Sequence, residues 1–366
     1  MAVERSISEM ATVGPLLDAV PQDQSFIHAA RRNPATRLLV DDAVDPSVAL
    51  LVPAVGDVVF LGGRESIRDD ALADVVRLAL SLRTGDGPPL RLALPFPQWS
   101  AILSRTFGHA FAPRGRRSYT LLQAGASPAR VEPVLPIGYE VRRMDESLAR
   151  DAAADADPEL TTFWPDLNAF AERGLSFCAI DSSSGHVASA AWSAYEPGDL
   201  VEIAVGTAAS HRGRGLSPAT ANALVHHCLA HGMEPRWSTD FDNVASRRVA
   251  AKLGFGNVTE HDWPLYTPFN AQRRSIDVPE ETTRGYHGRY TATGKTITIG
   301  HDGYALRFYD QLGQTLTLAA ESETRFFLRE VPVQIEFTRG ADGNVDGFTR
   351  EQAGKQWRME RVPGDL

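Results

Sequence analysis

The sequence predicts an α+β protein in three parts: an N-terminal α/β segment, a central mixed α/β segment and a small antiparallel β barrel or sandwich at the C-terminus. Three observations carry this prediction. The 366 residues exceed one domain at roughly 100–200 residues each. Two turn-rich stretches, 125–136 with Pro128, Pro133 and Pro136, and 267–283 with Pro268 and Pro279, read as linkers. Hydrophobic spacing also changes after the second stretch, from mixed periods to short alternating runs. The expected segments are 1–133, 134–270 and 280–366, and no internal repeat is visible.

In the first segment, 37–40 and 48–61 are β-like and 90–94 alternates as a strand. Between them, 66–82 places Ile67, Leu72, Val75, Val76, Leu78, Ala79 and Leu82 at helical spacing. Arg114, Arg116 and Arg117 read either as a phosphate grip or as a solvated turn. In the last segment the runs 295–299, 304–309, 315–318, 325–328, 333–338 and 345–349 alternate apolar and polar residues. Asp302-Gly303 and Asp342-Gly343 mark turns. Six short strands in series favour an antiparallel barrel, because closure removes the edges.

Composition narrows the function classes. With 43% hydrophobic and 23% charged residues, the chain reads as globular. The longest apolar run, 48–61, is broken by Pro53, Gly56 and Asp57, so no membrane helix is expected. The opening MAVERSISEM has acids and no apolar core, so no secretory leader is expected. Two cysteines, Cys178 and Cys228, make no disulfide framework, and a reducing cytoplasm is inferred. The net charge is -9, concentrated in the central segment, and no arginine stripe appears. Nucleic acid is therefore disfavoured as a partner.

The informative stretch is 200–255: a β-run, a small-residue loop, Arg212-Gly213-Arg214-Gly215, a helical run, a strand-like Pro235-Arg236-Trp237, and a second helix opening at Asn243. Glycines before a helix place unpaired N–H groups and the positive end of the helix dipole at one point, which suits a pyrophosphate. Alone, Gly-x-Gly before a helix is common in tight turns. The wider spacing, Arg212-x-x-Gly215-x-Ser217, then Asn243, then Lys252-Leu253-Gly254-Phe255, resembles the acyl-CoA signature of the GNAT N-acetyltransferase superfamily. The resemblance extends over about 138–266.

That resemblance implies a mixed α/β domain on a central, mostly antiparallel sheet, and acetyl-CoA as co-substrate with no metal. It implies a cofactor-binding set of Val205, Thr207, Arg212, Gly213, Arg214, Gly215, Leu216, Ser217 and Asn243. It also implies a backbone donor near Val205 to Thr207 for the developing oxyanion. Arg236-Trp237-Ser238 and Asn243-x-x-Ser246 resemble the zwittermicin-resistance branch, which implies a bacterial antibiotic-modifying role. The tail resembles the lipocalin-like β domain appended to some serine β-lactamase-like proteins. Two positions depart from the pattern: Ser217 replaces the usual Gly or Ala, and Ala250 stands where many members carry a tyrosine acid.

The catalytic candidates are Glu202 as base, with Asp240 and Asp242 in reserve, and Tyr195 or Ser246 as proton donor in place of the missing tyrosine. Glu202 sits in a period-2 strand and equally reads as a solvent-facing residue. Asn243 reads as a pantetheine contact or as a helix N-cap. Phe163-Trp164-Pro165 reads as a pocket wall or as core. His226 and His227 are adjacent on a helix and face apart, so no metal site is expected. Cys178 and Cys228 read as small core residues. The expected reading is a cytoplasmic acetyltransferase acting on a small-molecule amine, with a second copy of the chain as partner in a homodimer. The alternative is a catalytically inactive acyl-CoA-binding sensor or scaffold.

Overall fold

A computed structural model describes residues 2–18, 20–82, 90–122, 133–302, 305–310 and 315–364. Most of the predicted first linker, and the turn residues Gly303 and Tyr304, lie outside the described residues. The chain forms two compact units, Met1–Ile102 with Arg114–Pro264, and Leu103–Pro113 with Leu265–Leu366.

The first unit opens with β1 (Val3–Arg5), α1 (Met10–Asp18) and α2 (Gln24–Arg32). It continues through β2 (Arg37–Val40), β3 (Val48–Val52), β4 (Val58–Gly63), α3 (Asp69–Ser81) and β5 (Arg91–Ala93). The β-like run 48–61 is two strands, because Pro53 and Gly56, at φ 99°, turn the chain between them. Strands β1 to β4 pair antiparallel in sequence order, and β5 joins parallel to β4. Helices α1 and α2 pack on these strands, as does α3, so β2 to β4 are apolar nearly throughout.

Helix α4 (Gln98–Phe107) and β6 (Phe111–Ala112) precede β7 (Gly115–Leu121). The chain then forms β8 (Tyr139–Arg143), α5 (Glu146–Asp151), α6 (Leu167–Arg173), β9 (Ser176–Asp181), β10 (Val187–Ser193) and β11 (Leu200–Thr207). Helix α7 (Leu216–Ala230), β12 (Glu234–Asp240), α8 (Val244–Lys252) and β13 (Phe255–Asp262) complete it. The sheet order is β13-β7-β12-β11-β10-β9-β8, with β11–β12 its parallel pair. Strand β7 thus lies in the central sheet although it precedes the first linker. The two halves share a topology that the sequence did not reveal: an antiparallel meander followed by a parallel β–α–β step, β2-β3-β4-α3-β5 and β9-β10-β11-α7-β12.

In the second unit, β6 pairs with β14 (Leu265–Tyr266) and α9 (Glu280–Arg284) leads into a closed antiparallel barrel. Its strands are β15 (Gly288–Ala292), β16 (Lys295–His301), β17 (Leu306–Asp310), β18 (Thr315–Ala320), β19 (Arg325–Leu328), β20 (Val333–Arg339), β21 (Val345–Gln352) and β22 (Lys355–Arg361). Tyr286, Tyr290, Phe308, Phe326, Phe337 and Phe348 fill the interior. The six expected runs are all strands. The two that close the barrel, β15 and β22, went unseen because each turns a single buried side chain inward, Tyr290 and Met359, among polar residues. No helix among the described residues is long and apolar enough to cross a membrane.

Candidate active site

The site begins where two strands part. Strand β11 pairs with β12 over Leu200, Val201 and Glu202, facing Glu234, Pro235 and Arg236. Beyond that point β11 keeps β10 on its other side, and β12 turns to β7. The backbone from Ile203 to Thr207 is therefore not paired with β12, as the expected donor near Val205 and Thr207 requires.

The strand ends in the glycine loop. Gly213 and Gly215 adopt φ 77° and 81°, left-handed values that disfavour any side chain, and no atom lies within 4 Å of the position a Cβ would take at either. Gly215 is the N-cap of α7 and offers no side chain, so the first-turn amides of Leu216 and Ser217 stay available. The Ser217 hydroxyl bonds Thr207 Oγ1 at 2.6 Å, which in turn meets Ser189 Oγ at 2.8 Å. Serine at this position thus ties the helix start to the strand end. The Arg214 guanidinium donates to the Tyr139 hydroxyl at 2.8 Å, and Arg212 Nε donates to Thr207 O at 3.2 Å. Both arginines are exposed at the loop. The open cradle, the helix start and two cations fit a pyrophosphate, and thus the phosphates of acetyl-CoA.

One face of the sheet carries the remaining chemistry. Cross-strand register aligns His261 with Arg116 and Arg116 with Asp240, Thr259 with Ser118 and Ser118 with Ser238, and Thr120 with Arg236 and Arg236 with Glu202. Three polar rows therefore share one face, while Tyr119, Trp237, Val201 and Ile203 point to the other, into a core with α7 and α8 residues. The β11 end of the polar face is covered, since α2 packs on β11 and brings Asp23 and Ser25 with it.

Under that cover Glu202 is buried, 6% exposed, so the solvent-facing reading is wrong. Its Oε2 accepts from Ser25 Oγ at 3.0 Å, and Oε1 has no partner. Burial raises its pKa, against the pull of the Ser238 and Ser25 hydroxyls and of Arg116. Asp23 is the N-cap of α2, yet its carboxylate caps nothing; it faces Arg116 and the Trp263 N–H instead, both of which favour its charged form. Burial pushes it up to about 7. His261 Nε2 stands 3.7 Å from Asp23 Oδ1, and burial pushes the imidazole down to about 4. Burial thus favours the neutral form of both. Asp240 shows the opposite outcome: burial favours its neutral form, but Arg116 and Arg114, bonded at 2.7 and 2.6 Å, hold it at about 2. It is committed to an ion pair and does not serve as a reserve base.

Tyr195 belongs to the same site. Its ring packs 4.3 Å from Phe26 and 4.6 Å from Phe163, centroid to centroid. Its hydroxyl is buried without a partner and feels Glu202, so burial raises its pKa well above the usual phenol value. It stays protonated, with an O–H left to donate. A cavity of about 290 Å³ is lined by Phe26, Phe60, Phe163 and Tyr195, with Trp164 and Pro165 also on its wall. Both readings of the 163–165 triplet are realised, because Trp164 is also core, donating to Ser193 O at 3.3 Å.

Other candidates lie elsewhere. Ser246 sits at the start of α8, where Oγ accepts from Trp237 Nε1 at 3.0 Å, on the face of the sheet opposite Glu202. Asn243 caps α8, its Oδ1 accepting from Ser246 N at 3.0 Å, and Asp242 is exposed beside it. Ala250 is fully buried among Tyr119, Trp237 and Phe255. The arginine trio is neither a phosphate grip nor a solvated turn: Arg114 and Arg116 hold Asp240, and Arg117 meets Glu260 at 2.6 Å and the ring of Phe241. Cys178 and Cys228 are buried free thiols, pushed by burial up to about 12 and 11. Asp151, Asp155 and His186 approach one another at the surface, where Asp151 is engaged by His186 at 2.9 Å and by Val187 N at 2.6 Å.

Sequence reasoning missed Asp23, Ser25, His261 and Arg116 as parts of one site. The period-2 polar pattern in 116–120, 236–240 and 259–261 was the available signal; it reads as a solvated face unless the covering helix is known.

Comparison with known proteins agrees with this geometry. Residues 17–266 match the GNAT acetyltransferase family. An uncharacterized N-acetyltransferase of Bacillus subtilis, YdfB, is 32% identical over 127 residues, 35% of this chain and 48% of that protein. The chain thus spans about half the length of the curated relative it matches. A GCN5-related N-acetyltransferase-like protein from Streptococcus suis superposes with a TM-score of 0.56 at 21% identity, covering 72% of this chain and all of that one. A Drosophila protein gives 0.52 at 16% identity, over 73% and 98% of the two chains. These two structures speak for the fold, and the match over 17–266 carries the assignment: the chain belongs to the GNAT acetyltransferase family.

Proposed function

We propose that the protein is an acetyl-CoA-dependent N-acetyltransferase acting in the cytoplasm on the primary amine of a small molecule. The observation that carries this reading is the continuity of the open glycine loop, the unpaired edge of β11 and the buried Glu202 along a single strand. Bound acetyl-CoA supplies an activated acetyl thioester. Gly213, Gly215 and the α7 amides hold its phosphates with Arg212 and Arg214, and the free edge from Ile203 to Thr207 offers backbone donors. Glu202 takes the proton that the amine must lose, a role suited to a carboxylate whose proton affinity burial has raised. Tyr195 donates a hydrogen bond beside it. An antibiotic-type amine, in line with the zwittermicin-resistance resemblance, is the finer form of this proposal.

The missing tyrosine at Ala250 supports the second reading, an acyl-CoA-binding sensor or scaffold, because that position lies in apolar core and no acid replaces it there. Steady-state release of CoA against an amine panel separates the two. Turnover that falls about 100-fold in Glu202→Gln supports the enzyme; tight acetyl-CoA binding without turnover for any amine supports the scaffold.

A further inference from the structure

Glu202 is held from outside its own strand. Helix α2 packs on β11, and the residues after Ser25 anchor it, because Phe26 and Ile27 are buried in a core with Leu38, Val40 and Leu51. On its other side the first turn is tied down by Gln24, whose Nε2 donates to Leu17 O at 3.0 Å and to Val20 O at 2.8 Å. Ser25 stands between these anchors, buried, and its Oγ donates to Glu202 Oε2 at 3.0 Å. Oε1 is buried and makes no hydrogen bond. The two oxygens of one carboxyl group are therefore unequal. One is taken by a donor from an anchored helix, and the other keeps its lone pairs. A serine hydroxyl has a single proton to give, and giving it to Oε2 restrains rotation of the carboxyl group about its last bond.

We propose that Ser25 is a positioning residue for acetyl transfer: its hydroxyl fixes Glu202 through Oε2 and leaves Oε1 as the oxygen that carries the proton. The N-terminal segment then takes part in the reaction through Glu202, without touching substrate. This inference rests on the reading of Glu202 as the base. Burial favours the neutral carboxyl and Ser25 opposes it, because a hydroxyl bonds a carboxylate more strongly than a carboxylic acid. A base needs that ionised form. Arg116 of β7 and Arg236 and Ser238 of β12 act in the same direction as Ser25, and Ser238 Oγ itself accepts from Arg116 Nη2 at 2.8 Å. Asp23 and Tyr195 also face Glu202, both with burial favouring the neutral form, and His261 lies beyond Asp23.

The first part of the test needs no amine. In the intact protein, labelled at the glutamate carboxyl carbon for NMR, the Glu202 signal is the one missing from Glu202→Gln, and its titration midpoint is followed against pH. Ser25→Ala should raise that midpoint by about one pH unit. Ser25→Thr, which keeps the hydroxyl, should return it to within about 0.3 unit of the wild type. Gln24→Ala is the structural control, since it loosens the same turn of α2 and should lower Tm with the midpoint in place. The second part is CoA release against the amine panel. There Ser25→Ala should lower kcat/KM about tenfold below the wild-type midpoint and kcat about threefold on the plateau above it, with the KM for acetyl-CoA unchanged. A midpoint that Ser25→Ala leaves in place, or that Gln24→Ala moves as far, overturns the proposal and makes Ser25 a packing residue of the helix. A moved midpoint with unaltered turnover overturns it as well. Absence of wild-type turnover for every amine is a separate failure: it sinks the acetyltransferase reading, and the role of Ser25 with it, whatever the NMR titration shows.

Discussion

The two β–α–β steps of the first unit share a topology and differ in what their glycines do. At the end of β4, Gly62 and Gly63 sit where a Cβ would collide with Leu16 O and Ser47 O, respectively. They are glycines because the chain packs too closely for anything else. After β11, Gly213 and Gly215 have left-handed backbone and nothing within 4 Å. The helix starts differ in the same sense. Helix α3 places Asp69 and Asp70 in its first turn, whereas α7 has no acid there. Carboxylates at a helix start occupy the positive end of the dipole and repel a second anion. An anion site therefore depends as much on what the helix start leaves out as on the glycines it contains. One half has become scaffold, and the other keeps an open cradle.

Substitutions break this contrast in order of expected effect. Gly215→Asp, which tolerates the left-handed backbone better than most residues but brings a negative charge to the cradle, should weaken acetyl-CoA binding at least 100-fold with little change in Tm. Glu202→Gln should lower kcat about 100-fold and leave acetyl-CoA affinity intact; a matching loss of affinity would make Glu202 a structural residue. Gly63→Ala should cost about 1–3 kcal/mol in chemical unfolding and leave kcat/KM of the folded fraction unchanged. Ser246→Ala should cost about 1 kcal/mol through the lost Trp237 bond, with unaltered kcat; a large fall in kcat would return Ser246 to the reaction.

A smaller effect tests the buried cluster. Asp23 is raised to about 7 in the folded protein from an ordinary 3.8. Between those values the unfolded chain binds fewer protons, so this group's contribution to stability falls as pH rises through the window. His261, lowered to about 4 from 6.5, acts in the opposite direction between pH 4 and 6.5. Asp23→Asn removes the first effect alone. The Tm of the variant minus that of the wild type should therefore grow from pH 4 to pH 7, and a difference that stays constant would mean Asp23 is not held neutral.

The sequence made the local structure of the proposed cofactor half legible because it is set by near neighbours. The glycine loop, the start of α7 and the cap at Asn243 are each set by a few neighbouring residues, and all stand where the spacing put them. The proposed catalytic half is not local. Glu202 was visible as a carboxylate in an apolar strand, but its burial depends on α2, some 175 residues earlier. That helix escaped notice because Pro15 and Pro21 break the surrounding helical pattern. His261, Arg116 and Ser238 share a face only once β7 is inserted between β12 and β13, a pairing no local pattern encodes. The barrel follows the same rule, with its six amphipathic strands legible and its two polar closing strands not.

The most direct test of the central claim is calorimetric titration of the intact protein with acetyl-CoA, beside Gly215→Asp at the same concentration. Saturable one-site binding that the substitution abolishes is the predicted result. No binding to the wild type, or equal binding to both, would contradict the assignment of the loop between β11 and α7 as the cofactor site.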